Sequence, residues 1–400
     1  MSNSLLTIDM ITRKSLEILE NNLVITRTVN RQYDDSFAKS GAKIGSTLRI
    51  RLPDRALVTD GAALQVQDDV EQNTSLTVSS QKHIGINFTT AELTMQLDDF
   101  AERVLKPRIS QLAASIDADV ANSFQSIFQS VGTPGTTPGT SLVLLQAQQK
   151  LNEAAAVMSP RYATVNPAAN AALVEGMKGL FNPVSTISKQ FKSGLMGEGI
   201  LGYEELNMSQ SIKQHTTGTR TGAHTVTTTV ATQGASTIAI TGTGSQIIKK
   251  GDVFTIASVF AVNPQTREST GSLQQFVATA DATATGGAYT VSVSPAIFTA
   301  TQALATVDSF PQASAVVTFL GSASTQYPQN LIYHKDAITF ATADLVMPQG
   351  VDMASRQVHN GISMRIVRQY DINNDRMPCR IDVLYGFGVI RPQMAVRMWG

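Results

Sequence analysis

The chain of 400 residues holds a single cysteine, Cys379. One cysteine excludes an internal disulfide and any cysteine-based zinc cluster. Charge is scarce too. Asp, Glu, Lys and Arg make up 16% of residues, well below the usual quarter. A surface this poor in charge fits one that faces other protein as much as water. The 31 basic and 31 acidic side chains cancel, so the chain lacks the basic surplus of proteins whose main work is gripping nucleic acid. Neutrality also favours association. No stretch approaches the roughly 18 apolar residues of a membrane span, and the opening MSNSLLTIDMITRKSLEILE has no signal-peptide core. The N-x-S/T matches at Asn73, Asn87 and Asn207 then read as chance.

Recognisable catalytic patterns are missing as well. Gly197, Gly199 and Gly202 match G-x-G-x-x-G, but a dinucleotide fingerprint needs a strand before it and a helix after it. SKQFKSGLM and YEELNMSQS supply neither, so a flexible loop is expected. No Walker motif and no G-x-S-x-G elbow occurs. His83, His215, His224, His334 and His359 never pair at helical spacing, and each is expected to be an ordinary surface or half-buried histidine. Cys379 follows Pro378 in a strand-like run and reads as a small buried side chain. The carboxylate pairs Asp68-Asp69, Asp98-Asp99 and Glu204-Glu205 read as a hairpin tip, a helix start and a loop or strand edge. Neighbouring carboxylates on a strand point to opposite faces and make poor acid–base partners. No catalytic, cofactor or metal residue is expected. A chain of this length without a recognisable site is more often structural or adhesive than enzymatic.

What is present is pattern. Ile8, Ile11, Leu16, Ile18 and Leu19 give an amphipathic helix over Thr7–Leu23. TLRIRL, SLTVSS and IGINFT alternate as strands do. Around the acidic reach of Asp60, Asp68, Asp69 and Glu71 they predict a long, projecting β-hairpin, too long to bury both faces within one chain. Arg49, Arg51 and Arg55 either balance those acids or face the next subunit. Leu105, Ile109, Leu112, Ile116, Val120, Phe124 and Ile127 recur at steps of three and four, predicting a long helix with Asp98 and Asp99 at its start. Pro107 either kinks it or places the start at Lys106. After the linker VGTPGTTPGT come a helix stopped by Pro160, a short strand in RYATVNP, and a third helix capped by Asn170.

Composition then shifts. Between Thr221 and Gln326 the only charged residues are Lys249, Lys250, Asp252, Arg267, Glu268, Asp281 and Asp308. Six strand-like runs, HTVTTTVA, STIAITG, DVFTIASVFAV, QQFVATA, AYTVSVSP and AVVTFLG, predict a small sandwich or barrel. Strand patterns of ordinary charge resume beyond it, with a turn at Asn373-Asn374-Asp375. The β-module therefore interrupts a larger domain.

This order of elements resembles the coat proteins of tailed bacteriophages, the HK97-like capsid fold, and more narrowly the P22-like coat proteins, which carry an inserted β-barrel. LDDFAERVLKPRISQLAASIDADV, RYATVNP, KKGDVFTIASVFAVNPQTRESTGSLQQFVAT, PQNLIYHKDAITFATADL and RIDVLYGFGVIRPQMAVRM carry the resemblance over most of the chain. It implies an α+β fold with an N-arm (1–42), an E-loop hairpin (43–93) and a peripheral domain with the spine helix (94–131). It further implies an axial domain (132–221, returning at 327–356), an inserted β-domain (222–326) and peripheral C-terminal strands (357–400).

The implied function is assembly into an icosahedral shell around double-stranded DNA, by pentamers and hexamers of the chain itself in the host cytoplasm. A scaffolding protein and a portal are implied partners, with non-specific DNA contact on the inner face, no membrane and no cofactor. In such proteins the insertion lies outside the shell, aids folding and touches neighbours. Some relatives of this fold crosslink a hairpin lysine, but no lysine occurs between Ile44 and Ser80 here. The alternatives are an adhesin with a Thr-rich binding module, which would carry a secretion signal or a fibrous repeat, and an enzyme, which would cluster acid–base or metal-binding groups.

Overall fold

The computed structural model describes residues 8–31, 47–53, 55–58, 61–62, 64, 66, 72–88, 104–177, 197–372 and 376–400. Asp60, Asp68, Asp69, Glu71, Asp98, Asp99 and the turn at 373–375 lie outside them. The chain forms two compact units, one of residues 1–50, 74–120 and 339–388, the other of residues 51–73, 121–338 and 389–400.

In the first unit, helix α1 (Ile8–Asn22) turns Ile11, Leu16 and Leu19 inward and is followed by the short α2 (Ile25–Thr28). Strands β1 (Thr47–Arg51) and β2 (Asn73–Thr77) pair as the base of the expected hairpin. The next strand, β3 (Ser80–Phe88), joins a five-stranded sheet instead, lying along β21 (Met377–Val389). That sheet runs β18 (Ile338–Ala343), β21, β20 (Ile362–Arg368), β19 (Met353–His359), and α1 packs on β19 and β20.

The spine helix, α3, spans Lys106–Ala121. Val104 and Leu105 just before it are already helical, in the wider π form, so of the two sequence alternatives helical backbone runs through Pro107 and changes its geometry there. At its far end a tighter turn over Asn122–Ser126 replaces the helix expected to reach Val131. The seven predicted apolar positions from Leu105 to Ile127 are all buried.

The second unit holds β4 (Ser130–Val131), α4 (Ser141–Glu153), β5 (Arg161–Val165), α5 (Pro167–Met177), β6 (Gly197–Ile200), β7 (Tyr203–Met208), β8 (Gln214–Thr216), β17 (Gln326–His334) and β22 (Ala395–Trp399). Helix α4 stops seven residues before Pro160. Ala155 takes a left-handed φ of 54°, and the amides of Ala154 and Ala156 fold back onto the carbonyls of Lys150 and Leu151. The cap of α5 is Asn166, whose Oδ1 accepts from the Ala169 amide at 2.9 Å, and not Asn170. Pro167 explains the shift, because it is preorganised for the first helical position. The sheet order is β4-β22-β17-β5-β7-β6, with β8 beside β17.

The resemblance implies one unit for 357–400 and another for 327–356, and the chain divides within both ranges. Residues 339–388 belong to the first unit, whereas β22 pairs with β17 and β4 in the second. Alternation marks a strand but does not say which strand it pairs with.

Between β8 and β17 the chain closes a barrel in the order β10 (Ala235–Thr241), β15 (Ala288–Ile297), β13 (Ser269–Ala278), β12 (Val253–Val262), β16 (Val316–Phe319), β9 (His224–Val226). These are the six runs legible in the sequence. A small side ladder joins β11 (Ile247–Ile248) and β14 (Ala282–Thr283). Ile240, Phe254, Ile256, Phe276, Tyr289 and Val291 fill the interior. Closure leaves no free edge among the six strands.

Candidate functional site

The barrel leaves and rejoins its parent sheet at one place. Strands β8 and β17 lie antiparallel, with Thr216 opposite Gln326, His215 opposite Tyr327 and Gln214 opposite Pro328. The ladder continues outward through Thr217 N–H to Thr325 O and Ser324 N–H to Gly218 O. A two-stranded stem therefore carries the whole module.

Beside the stem lies a buried polar seat centred on Asp252, which is 0% exposed. Its carboxylate accepts from the amides of Gly218 and Lys249, both at 3.1 Å, and His215 Nε2 lies 2.8 Å from Oδ1. Arg220 Nη1 stands 3.6 Å from Oδ2, and its guanidinium covers the Phe319 ring at 4.7 Å. Burial alone would push the Asp252 carboxyl up. The His215 hydrogen bond and the Arg220 charge outweigh it and hold the group below its ordinary 3.8.

From the sheet side, Arg397 of β22 donates through Nη2 to the Gly251 carbonyl at 2.7 Å. Its guanidinium is wholly buried, 5.3 Å from the Trp399 ring, and burial lowers its pKa to about 9 although the Asp252 charge acts the other way. Gln275 of β13 exchanges two bonds with Ser130 of β4, accepting from its amide at 2.7 Å and donating to its carbonyl at 3.1 Å. Phe128, Val253, Val277, Tyr327 and Trp399 pack as an apolar layer alongside. Sequence reasoning missed this seat. Residues 215, 252, 275 and 397 are far apart in the chain, and no spacing rule links them.

The His215–Asp252 pair and the two guanidiniums are spent on contacts within the fold, holding backbone of the stem and barrel. Glycines 197, 199 and 202 form the β6–β7 hairpin, with Gly199 and Gly202 at φ 69° and 77°, and no helix follows. His83 and His359 are exposed, but His215, His224 and His334 are buried, deeper than expected, because each fills a packed position in a sheet or stem. Cys379 is buried in β21, and burial pushes its thiol up to about 12. Glu204 is exposed and Glu205 half-buried along β7. Among the described residues, no three His, Cys, Asp or Glu side chains converge as a metal site, and no helix is long and apolar enough to cross a membrane.

Elsewhere on the surface, large apolar side chains stand exposed between β1 and β2, as they do at Met158, Val346 and Ile372. Val58, Leu64 and Val66 are 83%, 89% and 84% exposed. Arg49 and Arg51 lie exposed on β1 near its base, while Arg55 is half-buried and its guanidinium lowered by that burial.

A family model described as P22 coat protein, gene protein 5, matches residues 1–400. The chain belongs to the P22 coat protein family. Among curated relatives of this coat protein, the major capsid protein of Acyrthosiphon pisum secondary endosymbiont phage 1 is 22% identical over 337 residues, 79% of each chain. A solved structure of Mycobacterium phage Che8 is 12% identical with a TM-score of 0.48, covering 94% of this chain and 90% of that one. The CUS-3 coat protein I-domain is 28% identical with a TM-score of 0.20, covering 26% of this coat protein and 98% of the domain. The α+β fold class expected from the resemblance holds, and the full-length family match leaves the adhesin reading without support.

Proposed function

We propose that this coat protein is the major capsid protein of a tailed phage and that it closes, by repetition of one chain, into an icosahedral shell around double-stranded DNA. The full-length family match carries the reading. The exposed apolar residues of the projecting hairpin support it, since large apolar side chains left in water mark a surface made to be covered. Pentamers and hexamers of the chain would place that hairpin across a neighbour. Many weak, repeated contacts give a shell that is stable once closed and correctable while growing.

In this reading 1–42 is the N-arm, 43–93 the E-loop and 222–326 an outward insertion. A scaffolding protein and a portal direct closure in the host cytoplasm. DNA meets the inner face without sequence preference, so a neutral chain suffices.

Negative-stain electron microscopy of the expressed protein, alone and with a co-expressed scaffolding protein, tests this. Closed particles, polyheads or spirals are expected. Small discrete oligomers under every condition would overturn it.

A further inference from the structure

We infer that Arg397, with Gln275, positions the inserted barrel: the seat fixes the module at one angle on its stem, and shell closure depends on that angle. The second half of this inference rests on the capsid reading; the first does not.

The argument begins with the stem. An antiparallel pair of strands is a weak, twistable ribbon with little stability of its own. It tethers the barrel but does not resist rotation about its own axis. Only contacts away from that axis can do so. Among the described residues the turn over Asn122–Ser126 packs on β13, and directional bonds come from β4 and β22, neither of which belongs to the stem. The Gln275–Ser130 exchange holds β13 to β4, and Arg397–Gly251 holds the turn before β12 to β22.

These bonds are directional, whereas the Phe128–Val253–Val277–Trp399 layer is not and tolerates sliding. A wholly buried guanidinium is a costly way to fill space; an apolar side chain of similar volume is often neutral or better for stability. What a charged hydrogen bond adds is a fixed geometry. The barrel does not need the seat to fold, because its six strands close on a core of their own.

The test compares the full-length chain with Arg397→Met, Arg397→Lys and Gln275→Ala, by hydrogen exchange of unassembled subunits and by microscopy of assembly products. In Arg397→Met the stem amides of 214–218 and 324–327 should exchange at least tenfold faster, while β12, β13 and β15 keep their protection. Closed particles should fall at least fivefold in favour of open or aberrant ones. Arg397→Lys, which keeps a charged donor, should recover part of both. Gln275→Ala should show the same pattern more weakly, and it carries the test if Arg397→Met does not fold.

Unchanged stem exchange in a folded variant would overturn the inference. So would loss of barrel protection along with the stem, which would make the role one of folding. Faster stem exchange with normal shell yield would sink the link to closure. If the unaltered protein forms no shells, the capsid reading fails, while the exchange data still decide whether the seat holds the barrel.

Discussion

The Asp117 carboxylate accepts from the peptide N–H of Thr26 at 3.0 Å and from the Thr26 hydroxyl at 2.6 Å. It also takes the amides of Val24 and Ile25, at 2.6 and 3.3 Å, so a spine-helix side chain satisfies the first N–H groups of α2. Asp117 is 2% exposed, so water has little access to these donors. Asp117→Ala should cost about 3 kcal/mol, from buried donors left unpaired. Asp117→Asn should cost less, because one acceptor oxygen survives. Urea unfolding of the unassembled subunit measures both, and a loss under about 1 kcal/mol in the alanine variant would contradict this account.

Two of the buried carboxylates, Asp252 and Asp117, should respond to acid in opposite senses. Asp252 sits below its ordinary 3.8, so its stabilisation is complete above that value and is lost as pH falls through the lower folded pKa. Asp117 sits above 3.8, because burial outweighs its hydrogen bonds. Its contribution is therefore largest at low pH and fades as pH rises through the folded value. Unfolding midpoints should fall as pH drops below 3.8, where Asp252 takes up its proton, and should also fall as pH rises from 3.8, where Asp117 ionises. Asp252→Asn should flatten the acid fall, and Asp117→Asn should flatten the one above 3.8. The same slope in all three proteins would refute the assignment.

The fold was legible where one periodicity dominated. The Leu105–Ile127 stripe marked the spine, and alternation marked all six barrel strands, because each element buries one face. Asp117 was not legible as a latch, since a polar residue beside an apolar stripe looks like solvent-facing surface. Three of the five histidines looked ordinary and are buried, His215 through a partner 37 residues away. Arg397 lies in MAVRMW, a strand legible as such, but its sheet is chosen by pairing partners that no local pattern encodes.

Gly176 in α5 offers a sharp test of packing against propensity. Alanine in a helix interior normally gains about 1 kcal/mol over glycine. Here a Cβ would run into the Gly139 carbonyl oxygen, which is backbone and cannot rotate away. Overpacking of this kind costs about 1–3 kcal/mol, so Gly176→Ala should destabilise the subunit. A higher thermal midpoint in the variant would show that the helix and the linker do not approach so closely.

The projecting segment separates folding from assembly. Val58, Leu64 and Val66 are almost fully exposed, so replacing all three with serine should leave subunit stability within about 0.5 kcal/mol. Covering a Val or Leu side chain contributes about 1.5–3 kcal/mol, whereas an exposed ion pair contributes about 0–1. These apolar side chains should therefore outweigh Arg49 and Arg51 in holding a neighbour. The triple serine variant should abolish closed particles, and Arg49→Glu with Arg51→Glu should reduce their yield while leaving the subunit folded. Particle yield from sucrose gradients, read beside urea unfolding of the same subunits, decides it. Normal yield from the serine variant would remove Val58, Leu64 and Val66 from the contact, and normal yield from the glutamate variant would remove the arginines.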